Sequence, residues 1–458
     1  MKYLYSAAAL FAASVSADLC AHGSTDDNGN WYCQEVKAIT YSGVGGSGSY
    51  NKVTSMSSSG SCGSTPYGYS GTMAPLDEEV SMHFRGPLHL KQFAFYAPGS
   101  SSTKMIKARS ARPSPHERRH ALGHGHGYAH AHLHNKREAE PEAALGDLVT
   151  AVINGKTVHW ANNYAGGASS ASTSAPSYGS AGSSSSSTST SAPAASSYSS
   201  SDDDDDSTPV SGSAWTRQGY YNAQNQTSHG IVFLNHEGGS GSGVFDMTYG
   251  NSLSYSSADG CSGASSPQIL EDCQLKSDTE VVIMTDKQCS GDSCGFVRPG
   301  TVAYHGFDGP NKAFFFEFSM PDDGTTSASI YDPTNMPAIW MLNAQIPRTL
   351  QYGQADCSCW TSGCGEFDIF EVLAAGDKRC KSTLHGNIAG GDSDYFARPV
   401  DGTIKAALLL YKDNIHIKIL DDSTDFGKTM DDAFLNDMIK DTMTDSLENL
   451  VSRFTLSS

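Results

Sequence analysis

Short β-prone runs follow one another from Ala214 to the end of the chain, separated by Gly, Asp, Asn and Pro. Runs of this length are typical of strands, and the residues between them favour turns. Helical character is confined to 431–440 and 445–453. The pattern predicts an all-β fold over 214–458, a jelly-roll β-sandwich. The clearest runs are 230–234, 280–284, 313–319, 338–342, 366–372, 406–410 and 415–420.

Residues 18–163 also have β character, but they are rich in Gly, Ser and Tyr and contain no cluster of catalytic residue types. The last two runs of this region flank an Asn-Gly pair, which is a hairpin-turn signal. We expect a small Gly-rich β module that precedes the jelly roll. Its strand-like runs are 35–41, 88–96, 148–153 and 156–160.

A tract at about 101–145 interrupts this module, and it is rich in histidine without any apolar period. Histidines can bind metals, but no rigid spacing fixes a geometry, so we predict a disordered insertion and assign no metal site. Lys136-Arg137, followed by Glu and Ala residues, resembles the dibasic processing sites of secreted precursors. Because a protease needs an exposed, extended segment, we expect cleavage after Arg137.

Residues 164–213 consist mainly of Ser, Thr, Ala and Gly, with an unbroken aspartate run at 202–206. A segment of this composition cannot bury a core, so it is predicted to be a linker. The region 214–458 is therefore expected to fold and act on its own.

The first residues have the pattern of a secretory signal over 1–17. Lys2 precedes an apolar run at 4–13, and small residues at 15–17 fit a cleavage site. The apolar run is too short to span a bilayer, and the chain does not end in the hydrophobic tail of a lipid anchor. We expect a secreted protein, soluble or wall-bound, with no membrane anchor. Asn225 begins an Asn-Gln-Thr sequon and is a predicted glycosylation site.

The net charge limits which binding partners are expected, and the cysteine content indicates the redox state of the compartment. The formal charge is −19, from 30 basic and 49 acidic side chains, so no basic face is expected for a nucleic acid, whereas a neutral polysaccharide is compatible. The 11 cysteines of an exported chain predict mainly disulfides, with one thiol left over. A zinc site at Cys357, Cys359 and Cys364 is the alternative.

Three carboxylates occur together in Glu-Phe-Asp-Ile-Phe-Glu at 366–371. On a regular strand Glu366 and Asp368 share one face, whereas Glu371 points to the other. One extra residue at 369–370, a β-bulge, brings Glu371 to the same face, where crowding raises at least one pKa. Glycoside hydrolysis uses one ionised and one protonated carboxyl group, so the triplet predicts such a site, without a cofactor.

The spacing Glu366-x-Asp368-x-x-Glu371 resembles the bulged catalytic motif of family-16 glycoside hydrolases, the jelly-roll laminarinases and their relatives. The resemblance implies that Glu366 is the nucleophile, Asp368 its support and Glu371 the acid/base. The run around Trp340 resembles the strand before that motif, which implies that Trp340 stacks on a glucosyl ring. His385 resembles a residue of the next strand and is implied to bind substrate.

The whole layout resembles the fungal cell-wall proteins described as circularly permuted endo-1,3-β-glucanases. It implies a concanavalin-like, permuted sandwich that hydrolyses wall β-1,3-glucan with retention of configuration. The sequence leaves two alternatives open: a glucan transglycosylase of wall remodelling, or a glucan-binding structural protein without turnover.

Overall fold

The computed structural model describes residues 23–99, 148–153, 156–161, 215–326, 333–386, 389–443 and 450–456. Five predicted features lie outside these residues: the signal at 1–17, the histidine-rich tract at 101–145, the Lys136-Arg137 processing site and the linker at 164–213, together with the Asn-Gly turn at 154–155.

The strands of the N-terminal region are β1 (Ser24–Thr25), β2 (Trp31–Tyr32), β3 (Ala38–Ser42), β4 (Gly45–Met56), β5 (Cys62–Thr72), β6 (Val80–Arg85), β7 (His89–Pro98), β8 (Leu148–Ile153) and β9 (Lys156–Ala161). The next strands are β10 (Trp215–Asn222), β11 (Thr227–His229), β12 (Ile231–Asn235), β13 (Phe245–Asp246), β14 (Gly250–Asn251), β15 (Ser254–Ser256), β16 (Gly263–Ala264), β17 (Glu280–Thr285) and β18 (Lys312–Ser319).

The remaining strands are β19 (Ala338–Asn343), β20 (Glu366–Glu371), β21 (Arg379–His385), β22 (Gly390–Gly391), β23 (Phe396–Ala397), β24 (Ile404–Tyr411), β25 (Asn414–Leu420), β26 (Thr429–Met430) and β27 (Val451–Thr455). Helices α1 (Gln345–Thr349) and α2 (Asp432–Met443) and the 3₁₀ turns Ala355–Cys357 and Trp360–Ser362 complete the described elements.

Two large sheets contain most of these strands. Sheet A has the order β11-β10-β7-β18-β24-β25-β3-β27, with β26 paired to β10. Sheet B has the order β16-β15-β12-β17-β6-β19-β20-β21-β22, with β23 paired to β21. Nearly all neighbours are antiparallel, but β27 runs parallel to β3. The prediction of an all-β sandwich is confirmed.

The core lies between the two sheets because alternate side chains of each strand point inward. Phe84 of sheet B contacts Phe93 and Phe316 of sheet A, with ring centroids 6.2 Å apart in both pairs. Ile339 and Phe367 belong to the same buried cluster. Burying each such side chain contributes about 1.5–3 kcal/mol to the free energy of folding.

The N-terminal strands are central members of both sheets. β6 pairs with β17 on one side and β19 on the other, and β7 lies between β10 and β18. This differs from the expected division into an N-terminal module and an independent domain over 214–458. Without β6 and β7, the backbone N–H and C=O groups of four buried strands would lose their hydrogen-bond partners. The two ranges therefore build one sandwich.

Most predicted elements of the C-terminal region are confirmed, and one is not. The expected strands correspond to β12, β17, β18, β19, β20, β24 and β25, and the helix predicted at 431–440 is α2. Of the stretch predicted as helical at 445–453, residues 445–449 lie outside the described residues, and 451–453 belong to the strand β27, because β3 offers a parallel partner there. β8 and β9 form the expected antiparallel hairpin, which is a unit of its own.

Helix α2 covers the outer face of sheet A. The Asp431 carboxylate accepts a 2.7 Å hydrogen bond from the Phe434 amide, which satisfies a free donor at the start of the helix. Leu435 and Met438 then pack against apolar side chains of the sheet, including Tyr96 and Phe315. Among the described residues, no helix is long and apolar enough to cross a membrane.

Candidate active site

The β-bulge predicted in β20 is present. Trp340 of β19 faces Asp368 and Ile339 faces Phe370, so residue 369 has no counterpart on β19. On the other side, β21 pairs Thr383 with Asp368 and Lys381 with Glu371, which again leaves one extra residue on β20. The inserted residue resets the alternation of side chains after Asp368.

The bulge separates the apolar and acidic side chains of β20. Phe367, Ile369 and Phe370 pack into the core between the sheets. The carboxylates of Glu366, Asp368 and Glu371 contact residues of the outer face instead, and these three residues are only 2%, 1% and 2% exposed. Buried charges of one sign need hydrogen-bond or ionic partners, and each of the three has one.

Trp360 is the partner of Glu366. Its indole Nε1 donates a 2.7 Å hydrogen bond to Glu366 Oε2, which stabilises the ionised carboxylate. The loop that presents Trp360 is closed by the Cys359–Cys364 disulfide. Trp360 was not among the residues predicted from the sequence, although its position six residues before Glu366 in a cysteine-rich loop was a signal.

His385 is the partner of Asp368. Its Nε2 lies 2.9 Å from Asp368 Oδ2, and its backbone faces Glu366 across the β20–β21 pair. The His385 side chain is 22% exposed, against 2% for Asp368. The structure thus brings His385 to the triplet, at the more accessible end of the acidic group.

Arg85 is the partner of Glu371. Its guanidinium Nη2 lies 3.4 Å from Glu371 Oε1, while its Nε donates a 2.8 Å hydrogen bond to the Met336 carbonyl. Arg85 belongs to β6, so a residue of the N-terminal region completes the acidic group. Polar Ser81, His83 and Arg85 alternate with apolar residues along β6, and this alternation was a signal for a polar outer face.

Trp340 lies on the same face as the triplet, but it is only 4% exposed. Its ring stacks on His83, with centroids 5.1 Å apart and an interplanar angle of 26°. The Arg85 guanidinium lies 5.6 Å from the same ring, within range of a cation–π contact. Both neighbours come from β6, so they fix the orientation of the indole.

A fourth carboxylate, that of Glu280, holds His83 in place. Glu280 Oε1 lies 2.8 Å from His83 Nδ1, and Glu280 Oε2 accepts a 2.5 Å hydrogen bond from the Tyr352 hydroxyl. Burial by itself raises the pKa of Glu280, but the hydrogen bond from His83 and the charges of His236 and His83 outweigh it and lower the pKa to about 2. These contacts therefore keep Glu280 ionised well below the ordinary pKa of a glutamate.

Ser81, His83 and Glu280 are arranged as in a hydrolytic triad, since Ser81 Oγ lies 2.8 Å from His83 Nε2. Ser81 and His83 are both completely buried, so no substrate carbonyl reaches the hydroxyl. The arrangement supports Trp340, on whose ring His83 stacks.

The other predicted site residues fall elsewhere. Asn225 is exposed in the turn between β10 and β11. Cys357 is bonded to Cys62, and Cys359 to Cys364, so the alternative of a zinc site at these cysteines is wrong. Cys289 and Cys294 form a further disulfide, and within the described ranges Cys261, Cys273 and Cys380 carry free thiols.

Two family models match the chain. They are described as cell wall protein YJL171C/Tos1, N-terminal, over residues 37–98, and cell wall protein YJL171C/Tos1, C-terminal, over residues 213–438. The first range contains β6 with Arg85 and His83, and the second contains the acidic triplet. No solved structure matches the chain significantly.

Several curated proteins are similar over almost the whole length. A protein of Arthroderma benhamiae, named probable circularly permuted 1,3-beta-glucanase, is 42% identical over 94% of this chain and 95% of its own. Proteins of Candida albicans and Saccharomyces cerevisiae, both named probable circularly permuted 1,3-beta-glucanase TOS1, are 42% and 41% identical over 93% and 92% of this chain and 95% and 94% of their own. This chain belongs to the YJL171C/Tos1 family of cell wall proteins.

Proposed function

We propose that this protein is a cell-wall enzyme that hydrolyses β-1,3-glucan within the chain and retains the anomeric configuration. The observation that carries the proposal is the bulge in β20, which gathers Glu366, Asp368 and Glu371 on one face. The names of the relatives, probable circularly permuted 1,3-beta-glucanases, support the substrate. A polysaccharide without charge also suits a protein whose formal charge is −19.

Glu366 is the proposed nucleophile. A retaining hydrolase needs an ionised carboxylate that attacks the anomeric carbon and forms a covalent glycosyl-enzyme. The Trp360 indole donates a hydrogen bond to Glu366 and favours that ionised form. Asp368, held by His385, lies between the two glutamates and maintains their geometry.

Glu371 is the proposed acid/base. It protonates the leaving oxygen in the first step and removes a proton from water in the second. Arg85 favours its carboxylate form, whereas the two neighbouring carboxylates favour its protonated form. A carboxyl group under opposing influences of this kind suits the role of releasing and recovering a proton in every cycle.

The roles are separable with an activated aryl β-glucoside and azide. The Glu371→Ala variant should lose activity on glucan but still form the glycosyl-enzyme from the aryl glycoside, because that leaving group needs no proton. Azide should then release a β-configured glycosyl azide. The Glu366→Ala variant forms no covalent intermediate, so azide should attack directly and give the α-configured product.

Glu317→Ala is the matched control, since Glu317 is a carboxylate of sheet A and its loss should leave turnover intact. Exchanged products would reverse the assignment of the two glutamates. Activity on glucan that survived both Glu366→Ala and Glu371→Ala would refute the proposed site. Product analysis with an added acceptor oligosaccharide separates hydrolysis from transglycosylation.

A further inference from the structure

The hairpin β4–β5 stands apart from both sheets. β4 and β5 pair only with each other, and most of their residues are exposed. An isolated two-stranded hairpin is marginally stable in water. A long hairpin of this kind therefore needs attachments elsewhere in the molecule.

Two of its attachments reach the loop that carries Trp360, and a third reaches the turn between β13 and β14. Cys62 is joined by a disulfide to Cys357, in the loop that also carries Trp360. The Asn51 amide donates a 2.9 Å hydrogen bond to Ser362 Oγ in the same loop. At the tip, the Tyr249 hydroxyl donates a 2.7 Å hydrogen bond to the Ser57 carbonyl. The hairpin is thus fastened at its tip and along one strand.

One face of the hairpin is built from tyrosines. Tyr50 and Tyr67 face each other across the strands, with ring centroids 5.2 Å apart. Tyr69 follows on the same face and stacks on Tyr50 at 6.3 Å. Tyr50 is 1% exposed and Tyr67 is 40% exposed, so a buried ring supports a ring that is open to solvent.

Gly48 makes room for this arrangement. The residue faces Tyr69 across the hairpin, and a Cβ atom on Gly48 would lie 2.4 Å from the Tyr69 hydroxyl. The hydroxyl end of the Tyr69 ring therefore occupies the space that a side chain at position 48 would fill.

The tyrosine face is continuous with the candidate active site. Tyr50 packs in one cluster with Trp340 and with Cys359, the residue before Trp360. Tyr69 and His385 line the same small pocket, and His385 bonds to Asp368. Tyr69, two residues from the exposed Tyr67 on β5, thus joins the tyrosine face to the histidine that bonds to Asp368.

We propose that Tyr67 and Tyr69 form a sugar-binding subsite that holds glucosyl units beyond those at the acidic triplet. This inference rests on the proposed function. The faces of a glucosyl ring carry C–H groups that pack on aromatic rings, while its hydroxyls are satisfied by water and by small polar residues. Ser, Thr and Gly surround the tyrosines on β4 and β5. The subsite makes the protein selective for long chains.

The test measures kcat and KM of the full chain on a long soluble β-1,3-glucan and on a short β-1,3-oligosaccharide. Tyr67→Ala should raise KM for the long glucan about 3- to 10-fold, the range expected from one aromatic contact. The rise should be smaller for the short substrate. Tyr67→Phe keeps the ring and should restore most of the affinity.

Phe245→Ala is the control, because Phe245 is an aromatic residue outside the hairpin with 59% exposure. If the Tyr67→Ala and Tyr69→Ala variants both had the wild-type KM on the long glucan, the proposed subsite would be wrong. The proposed function would not be affected by that result. An equal effect of Phe245→Ala would overturn the proposed subsite too. A wild-type protein that neither bound nor cleaved the glucan would overturn the proposed function and this inference with it.

Discussion

The outer faces of the two sheets differ, although their inner faces share one core. On sheet A many of the outward side chains are apolar, such as Ala94, Phe315 and Leu409, and helix α2 covers this cluster. On sheet B the outward side chains in the middle of the sheet include Glu366 and Asp368, whose contacts are polar. The same alternation of side chains thus gives sheet A an outer face that packs against a helix, and sheet B an outer face that carries paired carboxylates.

The difference lies in what each face requires of its neighbours. An apolar outer face needs only a cover of suitable shape, which one amphipathic helix provides. A buried acidic face needs a specific partner for every carboxylate, since an unpaired buried charge costs several kcal/mol. Substitutions on sheet A should therefore reduce stability, whereas substitutions on sheet B should reduce turnover.

The largest expected effect is on stability, at the helix-covered face. Phe315 is 2% exposed and contacts Phe426 and Phe434. Phe315→Ala should lower the free energy of unfolding by about 4 kcal/mol, because it leaves a cavity between sheet A and α2. Urea denaturation measures this loss, and a change below about 1 kcal/mol would contradict the comparison.

The second effect concerns pH and also belongs to sheet A. His416 Nδ1 lies 2.9 Å from Thr442 Oγ1 of α2, and burial lowers the pKa of His416 from 6.5 to about 4. Between these values the unfolded chain binds a proton that the folded chain does not, so stability rises with pH. Acidification from pH 7 to 4 should cost about 3 kcal/mol through this residue.

The measurement is urea denaturation of the wild type and of a His416→Asn variant at several pH values. The variant lacks the titrating group, so the difference between the two free energies should change by about 3 kcal/mol across the window. A difference that stays constant from pH 7 to 4 would show that folding does not shift the pKa of His416.

The third effect is on turnover, at the acidic face. Asp368→Asn should lower kcat on β-1,3-glucan about 100-fold, within the range found for groups that support reacting residues. The substitution keeps the size of the side chain, so the free energy of unfolding should change much less than in Phe315→Ala. If the variant kept more than about a third of the wild-type kcat, Asp368 would have no part in positioning the glutamates.

The smallest effect tests the contact that the sequence did not reveal. Trp360→Phe removes the Nε1–H that bonds to Glu366 and should lower kcat about 10-fold, near the lower limit for a hydrogen bond to a charged group. Trp31→Phe is the control, since Trp31 is 45% exposed in the strand β2. Equal kcat values for the two variants would mean that the indole N–H does not act on Glu366.

The features that were predictable from sequence are local. The strand positions follow from short apolar runs, and the bulge follows from the spacing of Glu366, Asp368 and Glu371 against the apolar residues between them. Both features depend on a few consecutive residues, which is why they could be predicted, and both are present in the structure.

The remaining features depend on contacts between distant parts of the chain. Arg85 reaches Glu371 across a separation of 286 residues, and no local pattern links the two. The N-terminal strands were expected to form their own module, because the serine-rich composition of 164–213 indicates a boundary. Composition shows that a segment such as 164–213 cannot form a core. It does not show whether strands before that segment pair with strands after it. Residues 451–453, the end of the stretch predicted as helical at 445–453, form a strand for the same reason, since their partner β3 is near the other end of the chain.

The central position of β6 has a consequence for the order of events on the ribosome. His83 meets Glu280 across 197 residues, and Ser81 meets Leu342 across 261. At about 5–20 residues per second, β6 waits roughly 10 to 50 s for the partners on its two edges to be synthesised. During that interval a strand rich in Val, Met and Phe is exposed to other nascent chains. The protein should therefore depend on chaperones of its folding compartment until β19 has been synthesised.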